Sequence, residues 1–384
     1  MVFQKKIVLV ILSIFFLSSC GDSNNVDSKY LVSSQLLVDI NSSTMNTTFG
    51  YKAYKIVYNT QFKGMTQEAS GLLVLPTGYE NMDDFSISMV CDARGTIFAN
   101  SQTPTLNFMP QDNGIGVGFS AVAGFATLQP DFLGFGISSD KTHPYLLKDS
   151  LAQRSIDMIK AVMEFAQENS IPINGQLFLS GYSEGGYATM ATIKKIEESY
   201  SDTLSVVASA PMSGPYNLEM MTKSVLASDV LLYSPFIGFT VFAYSNSYDD
   251  IDLNTIINEP YASSFASLFD GSKLGDEIYV SLTNYTQELF TQDIITNYEG
   301  SSFQKAIIEN SISDWKPLSK MRLYNCNQDP VVPLIFAQDA YNNFKSNGST
   351  SVELITLESN NHEECGLITY PEVIAWFVKL RKGE

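Results

Sequence analysis

Apolar and polar positions along the chain fall into two alternating rhythms. Residues 51–60 and 69–76 are rich in Tyr, Val, Ile and Leu and are separated by a Gly-containing turn, which predicts two strands. Residues 85–91 (FSISMVC) predict a third strand that ends in a loop over 92–96. A Gly-rich stretch, 114–124, leads to a strand over 125–130 and a loop over 131–136. In residues 151–169, Ile156, Ile159, Met163 and Ala166 fall on one face at helical spacing. A short buried strand follows at 176–180 (QLFLS), then a helix over 185–200 and a strand over 204–210. Strands alternating with helices predict an α/β fold with a mostly parallel sheet covered on both faces.

Residues 216–315 break this rhythm. They are rich in Tyr, Phe, Leu and Ser and show helical stretches without a clear strand, so they predict an inserted, mainly helical cap. Within the cap, 231–244 (LLYSPFIGFTVFAY) is too short to span a bilayer; it suits either a cap core or an apolar lid over a site. The rhythm returns with a strand at 321–326, a helix at 333–347 and a strand at 351–357. A last helix is expected to start near Pro371, since proline suits a first helical position, and to bury Val373, Trp376, Phe377 and Leu380. The core is thus expected over 29–215 and 316–384, with the cap over 216–315.

The start of the chain follows different rules. Lys5 and Lys6 precede an apolar run over 7–17, too short to cross a bilayer core, and Leu17-Ser18-Ser19-Cys20 follows. This is the pattern of a signal peptide over 1–19. Its end resembles a bacterial lipobox, which implies cleavage before Cys20, lipid attachment to its sulfur and a place in the bacterial cell envelope, in the outer rather than the inner membrane. Residues 20–28 are polar and read as a tether. With Cys20 lipidated, Cys91, Cys326 and Cys365 remain, enough for one disulfide in an exported protein.

Composition narrows the chemistry. The 384 residues carry a net charge of −18, which disfavours nucleic-acid partners. Only His143 and His362 can act as an imidazole base, and two histidines cannot build a multi-histidine metal site. No cofactor motif survives inspection. Gly114-Ile-Gly116-Val-Gly118 lacks the third-glycine spacing of a dinucleotide fingerprint, since position 119 is Phe, and the zinc pattern that His362-Glu363 would open has Gly366 in place of its second histidine.

Gly181-Tyr182-Ser183-Glu184-Gly185 matches G-x-S-x-G between a predicted strand and a predicted helix. In that context the glycines permit a tight turn that raises the serine hydroxyl above the sheet edge. A serine needs a base to take its proton. His362 follows the strand at 351–357, at the strand's C-terminal end, where open sheets place their sites. Asp329 follows the strand at 321–326 in the same way and would fix the histidine's tautomer; Asp314 and Asp339 are weaker candidates. Ser183, Asp329 and His362 follow the chain order nucleophile, acid, base. Because the Asp329 and His362 loops would meet, Cys326 and Cys365, each three residues away, are the preferred disulfide pair, leaving Cys91 free. His143, in Thr142-His143-Pro144-Tyr145, reads as a structural loop histidine. An oxyanion needs aimed backbone donors. The N–H of Glu184 is one candidate; the other is sought in Arg94-Gly95-Thr96, at Gly95 or Thr96, with Asp92 a contributor only if protonated.

These residues, with 129–136 (QPDFLGFG) and His143-Pro-Tyr-Leu146, resemble the secretory lipase branch of the α/β-hydrolases. Many members carry His-Gly-Thr where this chain has Arg94-Gly95-Thr96. The resemblance implies an α/β-hydrolase fold and cleavage of small-molecule or lipid carboxylic esters through an acyl-enzyme, without a cofactor. A serine peptidase on the same fold and a non-catalytic binding lipoprotein are the competing expectations.

Overall fold

A long hairpin forms early in the chain. In the computed structural model, residues 30–79, 82, 85–109 and 114–384 are described; the leader and Cys20 lie outside them. Strands β2 (Gly50–Phe62) and β3 (Met65–Thr77) pair in continuous antiparallel register from Gly50 opposite Thr77 to Phe62 opposite Met65. The two-residue turn places both Lys63 and Gly64 at positive φ, the geometry that matches the twist of a hairpin. An additional strand, β1 (Leu31–Ile40), adds to the edge of β2. Its side chains are mostly exposed, so its sequence lacks the alternation that would have revealed it.

The sheet has nine strands in the order β1-β2-β3-β5-β4-β6-β7-β8-β9. The remaining strands are β4 (Ile87–Ala93), β5 (Ala126–Pro130), β6 (Ile173–Tyr182), β7 (Val206–Met212), β8 (Lys320–Cys326) and β9 (Val352–Leu357). From β5 to β9 neighbouring strands run parallel. Central strands are buried on both faces. Ile87, Met89 and Cys91 of β4 point into one apolar cluster and Val90 into another, and Leu177 and Phe178 of β6 divide in the same way. Helices α1 (Lys148–Glu168) and α2 (Glu184–Ser199) contribute to the first cluster. The second is closed by Tyr370, Val373 and Phe377 of the C-terminal helix.

Between β7 and β8 come α3 (Leu218–Ala227), α4 (Ser234–Ser247), α5 (Tyr261–Leu268), α6 (Ser302–Asn310) and shorter helical turns. Among the described residues this segment's only β pairing is two isolated bridges, Val230–Tyr285 and Ile257–Phe290. Phe239 of α4 stacks on Phe269 (5.2 Å) and packs on Phe98 of the core (5.3 Å), which seats the helices over the sheet's C-terminal edge.

Two more helices follow, α7 (Leu334–Ser346) and α8 (His362–Arg381). Helix α8 starts nine residues before Pro371, contrary to the sequence expectation. Asn361 caps it by accepting the N–H of Glu364 at 2.9 Å, and Glu363 and Glu364 favour the positive end of its dipole. Pro371 is tolerated inside because the carbonyl it leaves unbonded belongs to Leu367, which is exposed to water. Val373 and Phe377 are buried as expected; Trp376 and Leu380 are half-buried. Cys326 and Cys365 form a disulfide, and Cys91 is free and buried.

Candidate active site

The turn between β6 and α2 is dictated by space. A side chain at Gly181 would start 2.3 Å from the carbonyl oxygen of Gly185, and one at Gly185 would lie 1.9 Å from that of Ala93. Only glycine fits at either position. Ser183 is held at φ 58°, ψ −118°, a conformation L-residues rarely adopt, and its N–H donates to Met212 O at 2.9 Å.

Asp329 lies in the turn after β8. Its Oδ1 accepts from the N–H groups of Val331 (2.9 Å) and Val332 (3.0 Å), which fixes the carboxylate. Its Oδ2 accepts from Nδ1 of His362 at 2.7 Å. That bond commits the Nδ1 proton and leaves Nε2 the acceptor of a neutral ring. Nε2 is buried and has no hydrogen-bond partner among the described residues. The ring of Tyr182 packs on that of His362 at 4.9 Å, and its hydroxyl donates to the His362 carbonyl. Ser183 and His362 line one cavity. Of the weaker acid candidates, Asp314 accepts from Asn347, and Asp339 from Asn217 and Asn343.

His143 is buried with Nδ1 2.7 Å from Leu133 O and Nε2 2.7 Å from Glu184 Oε1. Both ring nitrogens are engaged with the scaffold. Glu184 opens α2, so its N–H lacks an intrahelical acceptor. Gly95 approaches the turn closely: a Cβ on it would lie 3.9 Å from Cβ of Ser183. The Thr96 hydroxyl is taken up by Tyr145 OH at 2.9 Å, so backbone groups are what this loop offers.

For Arg94 and Asp92, both named from the sequence, the contacts their side chains make were not legible there. Arg94 turns inward and reaches the carboxylate of Glu184 at 3.4 Å. Asp92 is buried, accepting from Ser180 (2.7 Å) and Gln129 (2.9 Å); burial pushes its carboxyl up to about 6 against those bonds and one from Tyr370. Strand alternation marks which residues face inward, but not which inward polar groups find partners.

Two cavities meet at Ser183. One, of about 190 Å³, is apolar and lies under the cap; Met221, Val225, Phe236 and Ile237 line it with Val332. The run at 231–244 serves in both expected ways. Phe239, Val241 and Phe242 fill the cap's core, while Leu231, Phe236 and Ile237 face this cavity. The second cavity, about 400 Å³, carries more ionisable groups; Asp92, Arg94, His362 and Glu363 line it with Gln129, Tyr182 and Tyr370.

The comparisons agree with this architecture. Residues 115–384 match the model of the secretory lipase family. Among solved structures, a protein from Legionella pneumophila described as a hydrolase is 25% identical, with a TM-score of 0.84 over 92% of this chain and 99% of its own. A rice cell wall degrading esterase from Xanthomonas oryzae is 25% identical, with a TM-score of 0.78 over 93% of this chain and 98% of its own. Lipase A of Candida antarctica in its closed state shares the fold at 14% identity, with a TM-score of 0.70 over 93% of this chain and 83% of its own. Among curated proteins no sequence matches. A mostly parallel sheet, a serine on a strand–helix turn and a match over most of the chain converge on one conclusion: the chain belongs to the secretory lipase family and is a carboxylic ester hydrolase of the α/β-hydrolase fold.

Proposed function

We propose that Ser183 attacks the ester carbonyl and carries the acyl group as a covalent intermediate. The observation that supports this reading is the Asp329–His362 hydrogen bond at 2.7 Å, which leaves a buried, unpartnered Nε2 in the wall of the cavity that Ser183 also lines. Nε2 takes the hydroxyl proton as Oγ bonds to the carbonyl carbon. The carbonyl oxygen becomes an oxyanion, met by the N–H of Glu184 and one from Gly95 or Thr96. Collapse breaks the C–O bond, and His362 returns the proton to the departing alcohol. Water then repeats the sequence on the acyl-serine and releases the acid.

Direction follows from the two cavities. Of the two, His362 lines only the second, and it must protonate the leaving oxygen, so the alcohol leaves there and the acyl group lies under the cap. The substrate is therefore an ester with an apolar acyl group. Nitrophenyl esters of rising chain length, run beside aminoacyl-nitroanilides, test this. Ester turnover that declines once the acyl chain outgrows the cap cavity supports the reading; preference for the anilides supports a peptidase instead. We also propose that Cys20 is lipidated and holds the enzyme at the cell envelope.

A further inference from the structure

Arg94 follows β4 and is nearly enclosed, yet it touches both sides of the turn that carries Ser183. Its Nη1 donates to Gly95 O at 3.0 Å and lies 3.4 Å from Oε2 of Glu184. Its Nη2 donates to Asp131 O at 2.9 Å. The guanidinium is packed over the rings of Phe135 (4.7 Å) and Phe132 (5.2 Å), which restrict it to one plane. The other carboxylate oxygen of Glu184 meets His143 Nε2, and His143 Nδ1 meets Leu133 O, each at 2.7 Å. Both ring nitrogens face acceptors, so a proton lies between His143 and Glu184 whichever group holds it.

A trans peptide is planar, with its C=O and N–H pointing in opposite directions. Holding the Gly95 carbonyl toward Arg94 therefore turns the Thr96 N–H away from it. Holding the Glu184 carboxylate fixes the first residue of α2, whose N–H is the other donor. We infer that Arg94 is a positioning residue: one guanidinium ties the Gly95–Thr96 peptide to Glu184 and so sets the distance between the two oxyanion donors. The assigned second donor is the Thr96 N–H. This rests on the serine mechanism proposed above. Arg94 need not touch substrate, and lysine cannot replace it, since one ammonium cannot serve three acceptors in a plane.

The test compares Arg94→Ala, Arg94→Lys and Ser183→Ala on one nitrophenyl ester. Arg94 lines the second cavity, so its removal opens space that methylguanidinium can enter. For Arg94→Ala, kcat should fall about 10²-fold with KM changed less than about threefold, as for a lost oxyanion donor. Millimolar methylguanidinium should restore at least about tenfold of that loss in the alanine variant and none in Ser183→Ala. Arg94→Lys should stay as slow as the alanine variant. Wild-type kcat in Arg94→Ala or Arg94→Lys overturns the inference, as does a loss shared by kcat and KM without chemical rescue. If circular dichroism shows Arg94→Ala unfolded, Arg94→Gln and Arg94→Lys carry the same comparison. Hydrolysis surviving in Ser183→Ala would instead overturn the serine mechanism itself.

Discussion

At the residue scale, Ser183, Asp329 and His362 act as a unit under the proposed mechanism. Replacing Ser183 or His362 by alanine should lower kcat by about 10⁴-fold or more, and Asp329→Asn by a similar or somewhat smaller factor. His143→Ala is the control. It should lose far less turnover than His362→Ala, at most the roughly 10²-fold of a misplaced oxyanion donor, while destabilising the fold by about 3–5 kcal/mol, because the buried Glu184 loses one of its two charged partners. Equal activity losses for the two histidines in a kinetic comparison would contradict their different roles. Asp92 yields a pH prediction. Its folded carboxyl titrates near 6, above the unfolded value of about 3.9, so the folded state keeps a proton that the unfolded chain has already lost. Stability from this group therefore falls as pH rises from about 4 to 6, by roughly 3 kcal/mol in all. In urea titrations, Asp92→Asn should gain on the wild type by about that amount between pH 4 and pH 7; parallel curves would contradict it. The candidate triad was legible because its three residues follow strands whose pattern the sequence displays. Arg94 and the carboxylate role of Glu184 were not, because pairing between buried charges depends on contacts distant in sequence.

At the scale of elements, the hairpin, the central strands and α1 and α2 follow patterns already visible in the sequence, with ends shifted by a few residues. Two elements did not. Strand β1 is stabilised by pairing to β2 and by Glu164, which accepts the N–H groups of Tyr30 and Leu31, both tertiary effects. Helix α8 runs through Pro371 because its cap and its buried face outweigh one missing bond on the solvent side. The disulfide between the end of β8 and the first turn of α8 ties the Asp329 turn to His362. Closing a loop of 39 residues is worth about 4 kcal/mol in the chain-entropy account. Replacing Cys326 and Cys365 together by serine should lower the unfolding free energy by about that much and weaken turnover by loosening the Asp329–His362 bond. Peptide mapping without reduction should recover the 326–365 pair and Cys91 as a thiol. A bridge that includes Cys91 would contradict the structure.

At the scale of the whole molecule, a sheet buried on both faces supports a helical cap whose apolar cavity opens onto the serine turn. Under the proposal, envelope attachment rests on the lipid on Cys20. Cys20→Ala should block processing or release the protein from the membrane fraction; normal processing with unchanged fractionation would contradict the anchor. The central claim is chemical, and intact-protein mass spectrometry addresses it. After rapid acid quench of a reaction with a slowly deacylated nitrophenyl ester, the enzyme should gain the mass of one acyl group. Digestion should place that group on the peptide containing Ser183, and Ser183→Ala should show neither the adduct nor turnover. Hydrolysis without any adduct, or an adduct on another residue with activity preserved in Ser183→Ala, would contradict the account.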